Sequence, residues 1–183
     1  AKPFPALHKA WLEWQQEPAA RPASLAVLGG GPAAFELALA LHASLTGSAV
    51  TLICASQLLG SHPPELQTKA RALLAVRGIA LIEQQKITRI ADGQLFNTDL
   101  PLIQCQAVIA ATGASAPHWL RSSGLAVDNN GFARINPNLL SNSHTSVFAS
   151  GDCASLPGAL RSGVYAVRQG PFLADNIVSR LQH

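Results

Sequence analysis

Residues 25–41, LAVLGGGPAAFELALAL, constrain this chain more than any other stretch. An apolar run meets three consecutive glycines and then a long segment that is apolar on most faces, which is how a buried strand turning sharply into a buried helix reads. The glycines fall at the turn. Gly29 lets the backbone reverse, Gly31 keeps a side chain out of the space a phosphate would approach, and Ala34 is small where helix and strand pack closely. The pattern is G-x-G-x-x-A, spread over Gly29, Gly30, Gly31, Pro32 and Ala34. Unpartnered amides at a helix start, together with the helix dipole, favour an anion, so the arrangement suits the diphosphate of a dinucleotide. A glycine turn with only a structural role is the alternative reading. Context favours the ligand, because residues 49–54 (AVTLIC) read as a second strand and complete a βαβ unit of about 30 residues.

Composition narrows the class. A chain of 183 residues, 48% apolar and 13% charged, can bury a substantial core. Its net charge of +3 is small and its Lys and Arg are dispersed, so no nucleic-acid role is expected. No apolar run reaches the ~18 residues of a membrane span and no signal-peptide core is present at the start, so the expected location is the cytoplasm. Cys54, Cys105 and Cys153 are too scattered for a disulfide framework or a zinc site, and the six histidines show no ligand spacing. Buried free thiols and no metal are expected.

In chain order, residues 3–17 place Phe4, Leu7, Trp11 and Trp14 at helical intervals, and the PAARP segment that follows is a linker. The tryptophans mark either a packing face or a membrane or partner surface, and packing is the favoured reading. Residues 64–77 form a helix with Leu66, Ala70, Leu73 and Leu74 inward, capped by Gly78. Residues 79–82 form a third parallel strand, and residues 86–102 an antiparallel meander around the Asp92-Gly93 turn. A buried strand is expected over 104–112, a helical turn over 117–122, a short strand over 131–135 and a last buried strand over 145–152. A closing helix over 164–181 carries Val167, Phe172, Ile177 and Leu181, with Gly170-Pro171 bending or restarting it.

The succession GGGPAAFELALAL, VIAATGA and TSVFASGDCA resembles the flavin-dependent pyridine nucleotide oxidoreductases, and the leader and tail are most similar to their NADH dehydrogenase-like members. The resemblance implies an α/β, three-layer Rossmann-like FAD/NAD(P)-binding fold with a parallel sheet and an antiparallel crossover meander. It implies a leader helix and linker over 1–18, an NAD(P)H-binding domain over 19–102 and the returning half of an FAD-binding domain over 103–183. The first flavin-binding unit of such proteins has no counterpart before Pro3, so the chain resembles a carboxyl-terminal portion; the tail also resembles members joined to a selenide, water dikinase. By the same resemblance Glu36 lines a nicotinamide pocket, Thr112 and Gly113 lie at the cofactor, Gly151 and Asp152 meet the flavin ribityl chain, and Gln169 approaches the flavin ring. For Asp152 a helix cap is the other reading, and for Glu36 a surface position, although so apolar a run argues for a polar partner.

The implied function is transfer of hydride from NAD(P)H to FAD and on to a small acceptor such as a quinone, with the flavin carrying the chemistry and no catalytic side chain assigned. Cys54 and Ala55 stand where an acid reading the NAD ribose is expected, and no arginine nearby suits a 2′-phosphate, so the residues leave NADH and NADPH open. Two alternatives remain: a non-catalytic nucleotide-binding module of a fusion, and a portion of a disulfide reductase. An apolar face from residue 104 onward is expected to promote self-association, and a quinone acceptor would put the protein at the inner membrane surface.

Overall fold

The computed structural model describes residues 4–159 and 163–182 and divides into two compact units between Gly113 and Ala114. The first contains α1 (Phe4–Gln16), β1 (Ser24–Leu28), α2 (Pro32–Ser44), β2 (Ala49–Ile53), α3 (Pro64–Val76) and β3 (Ala80–Ile82). A meander of β4 (Arg89–Ala91), β5 (Gln94–Asn97) and β6 (Leu100–Gln104) follows, and β7 (Ala107–Ala110) returns to the main sheet. The sheet is parallel throughout, in the order β3-β2-β1-β7.

Both faces of that sheet are covered, which is why its strands are apolar without alternation. Leu25, Val27, Val50, Leu52 and Cys54 face one layer, where Ala34, Ala38 and Leu41 of α2 and Ala70 and Leu74 of α3 pack. Ala26, Leu28 and Ile53 face the other, where Leu95 and Cys105 of the meander region lie. The result is the expected three-layer architecture. The leader helix belongs to it, since Leu7, Trp11 and Trp14 pack against the helical layer, and Trp11 Nε1 donates to Ser44 Oγ at 3.2 Å. The tryptophan face is therefore a packing face.

Two details of this unit differ from the sequence reading. In α3 the inward residues are Gln67, Ala70 and Leu74, while Leu66 and Leu73 are exposed. Gln67 tolerates burial because its Nε2 donates to the carbonyl of His62 at 2.9 Å. The strand expected over 104–112 is split: Cys105 N–H bonds to Gly93 O in the meander, Gln106 N–H to Ser24 O, and only then does β7 run along β1. That pairing holds β7 in the same compact unit as β1, and the unit extends to Gly113.

The second unit contains α4 (His118–Ser122), the paired two-residue strands β8 (Ala133–Arg134) and β9 (Ala154–Ser155), and α5 (Gly163–Gln182). Its core gathers Ile135, Leu139 and Ala154 with the half-buried Ala149, Leu156 and Leu173. The strand expected over 145–152 does not form. Among the described residues the pairings there are local, Ser141 N–H to Val147 O and Ala149 N–H to Leu139 O, and a ladder on one side at isolated points does not sustain a strand. The closing helix runs through Pro171 as one element, and of the expected inward residues Val167, Phe172 and Leu181 are exposed. Leu173 is the side chain that reaches the core.

Candidate functional site

In an open α/β sheet the ligand crevice lies at the carboxyl ends of the strands, where the strand order reverses. In the first unit the chain winds outward from β1 to β2 to β3 and then crosses back to β7 on the other side of β1. The reversal therefore falls between β1 and β7. The two loops leaving this point are Gly29–Gly30–Gly31 and Ala111–Thr112–Gly113.

Gly29 is demanded by both conformation and space. Its φ of 145° lies where side chains are strained, and a Cβ there would strike the Ala111 carbonyl oxygen and lie 2.9 Å from Ala34 Cβ. Ala34 is fully buried, so the first turn of α2 sits directly on the strand exit. Gly31 differs: a Cβ on it would meet nothing within 4 Å. The space in front of it is open.

That open space faces the start of α2, which Gly31 caps through its backbone alone. No side chain caps the helix, no acidic residue sits in its first turn, and Pro32 at the helix start removes one amide that would lack a partner anyway. Ala34 N–H already donates to Gly31 O at 3.1 Å, so the Ala33 amide and the helix dipole are what the first turn offers an anion. A backbone cradle without Cβ atoms, next to a helix start without competing carboxylates, fits a diphosphate.

Glu36 lies further along α2 and is exposed. α2 buries Ala34, Ala38 and Leu41, so the Glu36 carboxylate stays in water and does not require the polar partner that so apolar a run leads one to expect. Thr112 and Gly113 are also exposed, and Gly113 takes a φ of 119°. The first unit thus brings the glycine turn, Pro32, Ala34, Thr112 and Gly113 to the carboxyl ends of the neighbouring strands β1 and β7.

The second unit carries its own cluster. Gly151 opens a single 3₁₀ turn (Gly151–Cys153) with φ 66°, and its N–H donates to Gln169 Oε1 at 2.8 Å. Asp152 is exposed in that turn. It lies on that 3₁₀ turn, and α5 is described from Gly163 onward.

Several groups at the first site escaped the sequence reading. Cys54 Sγ donates to Gly29 O at 3.4 Å, and Leu59 N–H to Gly30 O at 2.7 Å, so the loop after β2 is stitched to the glycine turn. Glu83, just past β3, accepts from Arg71 Nε and Nη2 at 2.8 and 2.9 Å and from Leu58 N–H at 2.6 Å. Arg71 is therefore engaged at Glu83. Burial, with the Glu83 charge in support, pushes the Cys54 thiol up to about 11, so it stays protonated and unreactive at neutral pH. Burial also raises Cys105. All three cysteines are free thiols, and no metal-binding group of His, Cys, Asp or Glu exists among the described residues. No helix among them is long and apolar enough to cross a membrane.

Comparison with known proteins bears on the same segments. The sequence profile of the family described as pyridine nucleotide-disulphide oxidoreductase matches residues 6–170. An NADH dehydrogenase-like protein of Bacillus subtilis is 29% identical over 140 residues, which cover 75% of this chain and 39% of that protein. Among solved structures, the water-forming NADH oxidase of Lactobacillus brevis bound to NADH superposes with a TM-score of 0.70 at 22% identity, over 93% of this chain and 39% of that one. An FAD-dependent pyridine nucleotide-disulphide oxidoreductase of Desulfovibrio vulgaris gives 0.68 at 23% identity, over 87% and 43%. At such identities the superpositions show the shared fold. In each case this chain spans only about two-fifths of the other protein's length.

Proposed function

Since this chain belongs to the pyridine nucleotide-disulphide oxidoreductase family, we propose that it supplies the NAD(P)H site, and part of the FAD site, of a flavin-dependent oxidoreductase. The observation that carries the reading is the cradle at the strand-order reversal: Gly29 packed without room for a Cβ, Gly31 open, and the start of α2 uncapped by any side chain. The Gly30-Gly31 backbone and the first turn of α2 hold the diphosphate of NAD(P)H. Glu36, Thr112 and Gly113 line the nicotinamide end. In the second unit Asp152 accepts a ribityl hydroxyl of FAD, and Gly151 and Gln169 shape the turn that presents it.

Flavin, when bound, supplies the redox chemistry, taking hydride from the nicotinamide and passing electrons to a small acceptor such as a quinone. This chain's residues bind, orient and exclude water. In this reading the protein works in the cytoplasm, at the inner membrane face when the acceptor is a quinone. Val164, Val167, Val178 and Leu181 expose an apolar stripe on α5, which would join two copies unless other parts of the protein cover it.

The reading is tested in the native protein by its flavin absorbance near ~450 nm and by loss of that band on anaerobic addition of NADH. Asp152→Ala is expected to weaken FAD by roughly ten- to a hundredfold, as loss of a charged hydrogen bond should. Because Asp152 is exposed, the apo protein should melt at nearly the same temperature. Retained flavin together with a much lower apo melting temperature would overturn its role. A non-catalytic nucleotide module would bind NADH and show no flavin band.

A further inference from the structure

The geometry points to Glu83 and Arg71 as a positioning pair that aims the Gly31 amide at the cofactor diphosphate, an inference that rests on the nucleotide reading above. The pair lies on elements remote in sequence from the glycine turn, Arg71 on α3 and Glu83 just beyond β3. A chain of hydrogen bonds connects them to it.

The Glu83 carboxylate accepts three hydrogen bonds: two from the Arg71 guanidinium, at 2.8 and 2.9 Å, and one from the Leu58 amide, at 2.6 Å. The two-pronged pairing fixes the carboxylate in direction as well as place. Leu58 is thereby fixed at the head of a buried dipeptide, since Leu58 and Leu59 expose 0% and 4% of their surface. Leu59 adopts a φ of 52°, a left-handed conformation that a leucine takes only when its surroundings impose it. In that conformation its N–H reaches Gly30 O at 2.7 Å.

The last link is peptide geometry. In a planar trans peptide the carbonyl of one residue and the amide of the next point in opposite directions. Holding the Gly30 carbonyl toward the Leu59 loop therefore turns the Gly31 N–H away from that loop. It points toward the open cradle. Glycines on both sides of this peptide would otherwise let it rotate at little cost, and an amide free to turn makes a poor anion donor. The Arg71–Glu83 pair, acting through Leu58 and Leu59, supplies the rigidity that glycine lacks.

Two readouts test this, NADH affinity by calorimetry and the Gly31 amide resonance by NMR, each on the native protein and on Glu83→Gln. The variant is expected to bind NADH about tenfold more weakly at a temperature where it remains folded, the scale of one misdirected hydrogen bond. The Gly31 amide resonance of the NADH-free protein should shift and broaden. Arg71→Lys keeps the charge and loses the fork, so it should fall between the two; should Glu83→Gln fail to fold, Arg71→Lys carries the test with the same readouts. NADH affinity within twofold of the native value, with an unmoved Gly31 resonance, would reduce the pair to a stabilising contact and overturn the inference. Absence of NADH binding by the native protein would instead remove the nucleotide reading itself, and the inference with it.

Discussion

The backbone amide of Gly151 donates to Gln169 Oε1 at 2.8 Å, tying the turn that bears Asp152 to the middle of α5. A side chain on the helix thus completes the hydrogen bonding of a loop that has no strand behind it. Gly151 itself is hemmed in, since a Cβ there would lie 3.0 Å from Ala166 Cβ. The turn and the helix form one structural element.

Replacing Gln169 with leucine removes the acceptor and leaves a partly buried amide without a partner, which costs about 1–3 kcal/mol. Urea denaturation should show that loss. FAD affinity of the variant should fall along with it, because the turn loses its anchor. Unchanged stability would show that water replaces the side chain at no cost.

The Arg71–Glu83 pair gives stability a defined pH dependence. Hydrogen bonds from Arg71, helped by the Leu58 amide and the Arg71 charge, outweigh desolvation and hold the Glu83 carboxyl below its ordinary 4.5. A carboxyl whose folded value is depressed contributes stability that is present above its unfolded value and is lost as pH falls through the folded one. The gap in urea midpoint between the native protein and Glu83→Gln should therefore stay constant from about pH 8 to 6 and close below about 4.5. A gap independent of acid would mean that the carboxylate charge contributes nothing.

Cys54 offers a check on how tightly the end of β2 is packed. With its thiol raised by burial to about 11 and no exposed surface, it should resist iodoacetamide in the folded protein at neutral pH. The half-buried Cys153 should react first, and all three cysteines only after unfolding. Early modification of Cys54, read by peptide mass spectrometry, would show that the loop against Gly29 opens.

Much of the first unit was legible because each element announces itself locally. Strands buried on both faces are continuous apolar runs, the Gly29 turn has a pattern of its own, and Gly78 marks a helix end at φ 71°. The second unit was far less legible. Residues 145–152 have the composition of a buried strand, but a strand depends on a partner ladder and composition does not reveal whether one exists. Val167, Phe172 and Leu181 read as core for the same reason, since apolar character says nothing about what lies opposite. At the site, the glycines were visible because their requirement is local. The Arg71–Glu83 pair and its link to Gly30 were hidden because they join residues far apart in sequence that only the parallel sheet brings together. The one trace was a glutamate directly after an apolar strand, where charge is rare without a partner.

The central claim is that the Gly29–Ala34 turn binds a dinucleotide diphosphate, and the most direct measurement is a calorimetric titration of NADH into the native protein and into Gly31→Val. Gly31 has φ −91° as the N-cap of α2 and open space before it, so valine there should leave the circular dichroism spectrum intact. Its side chain would fill the place where backbone and phosphate meet. The expected result is clear binding by the native protein and none by the folded variant. Equal heats and equal affinities in the two would contradict the claim and make the glycine turn a device of folding alone.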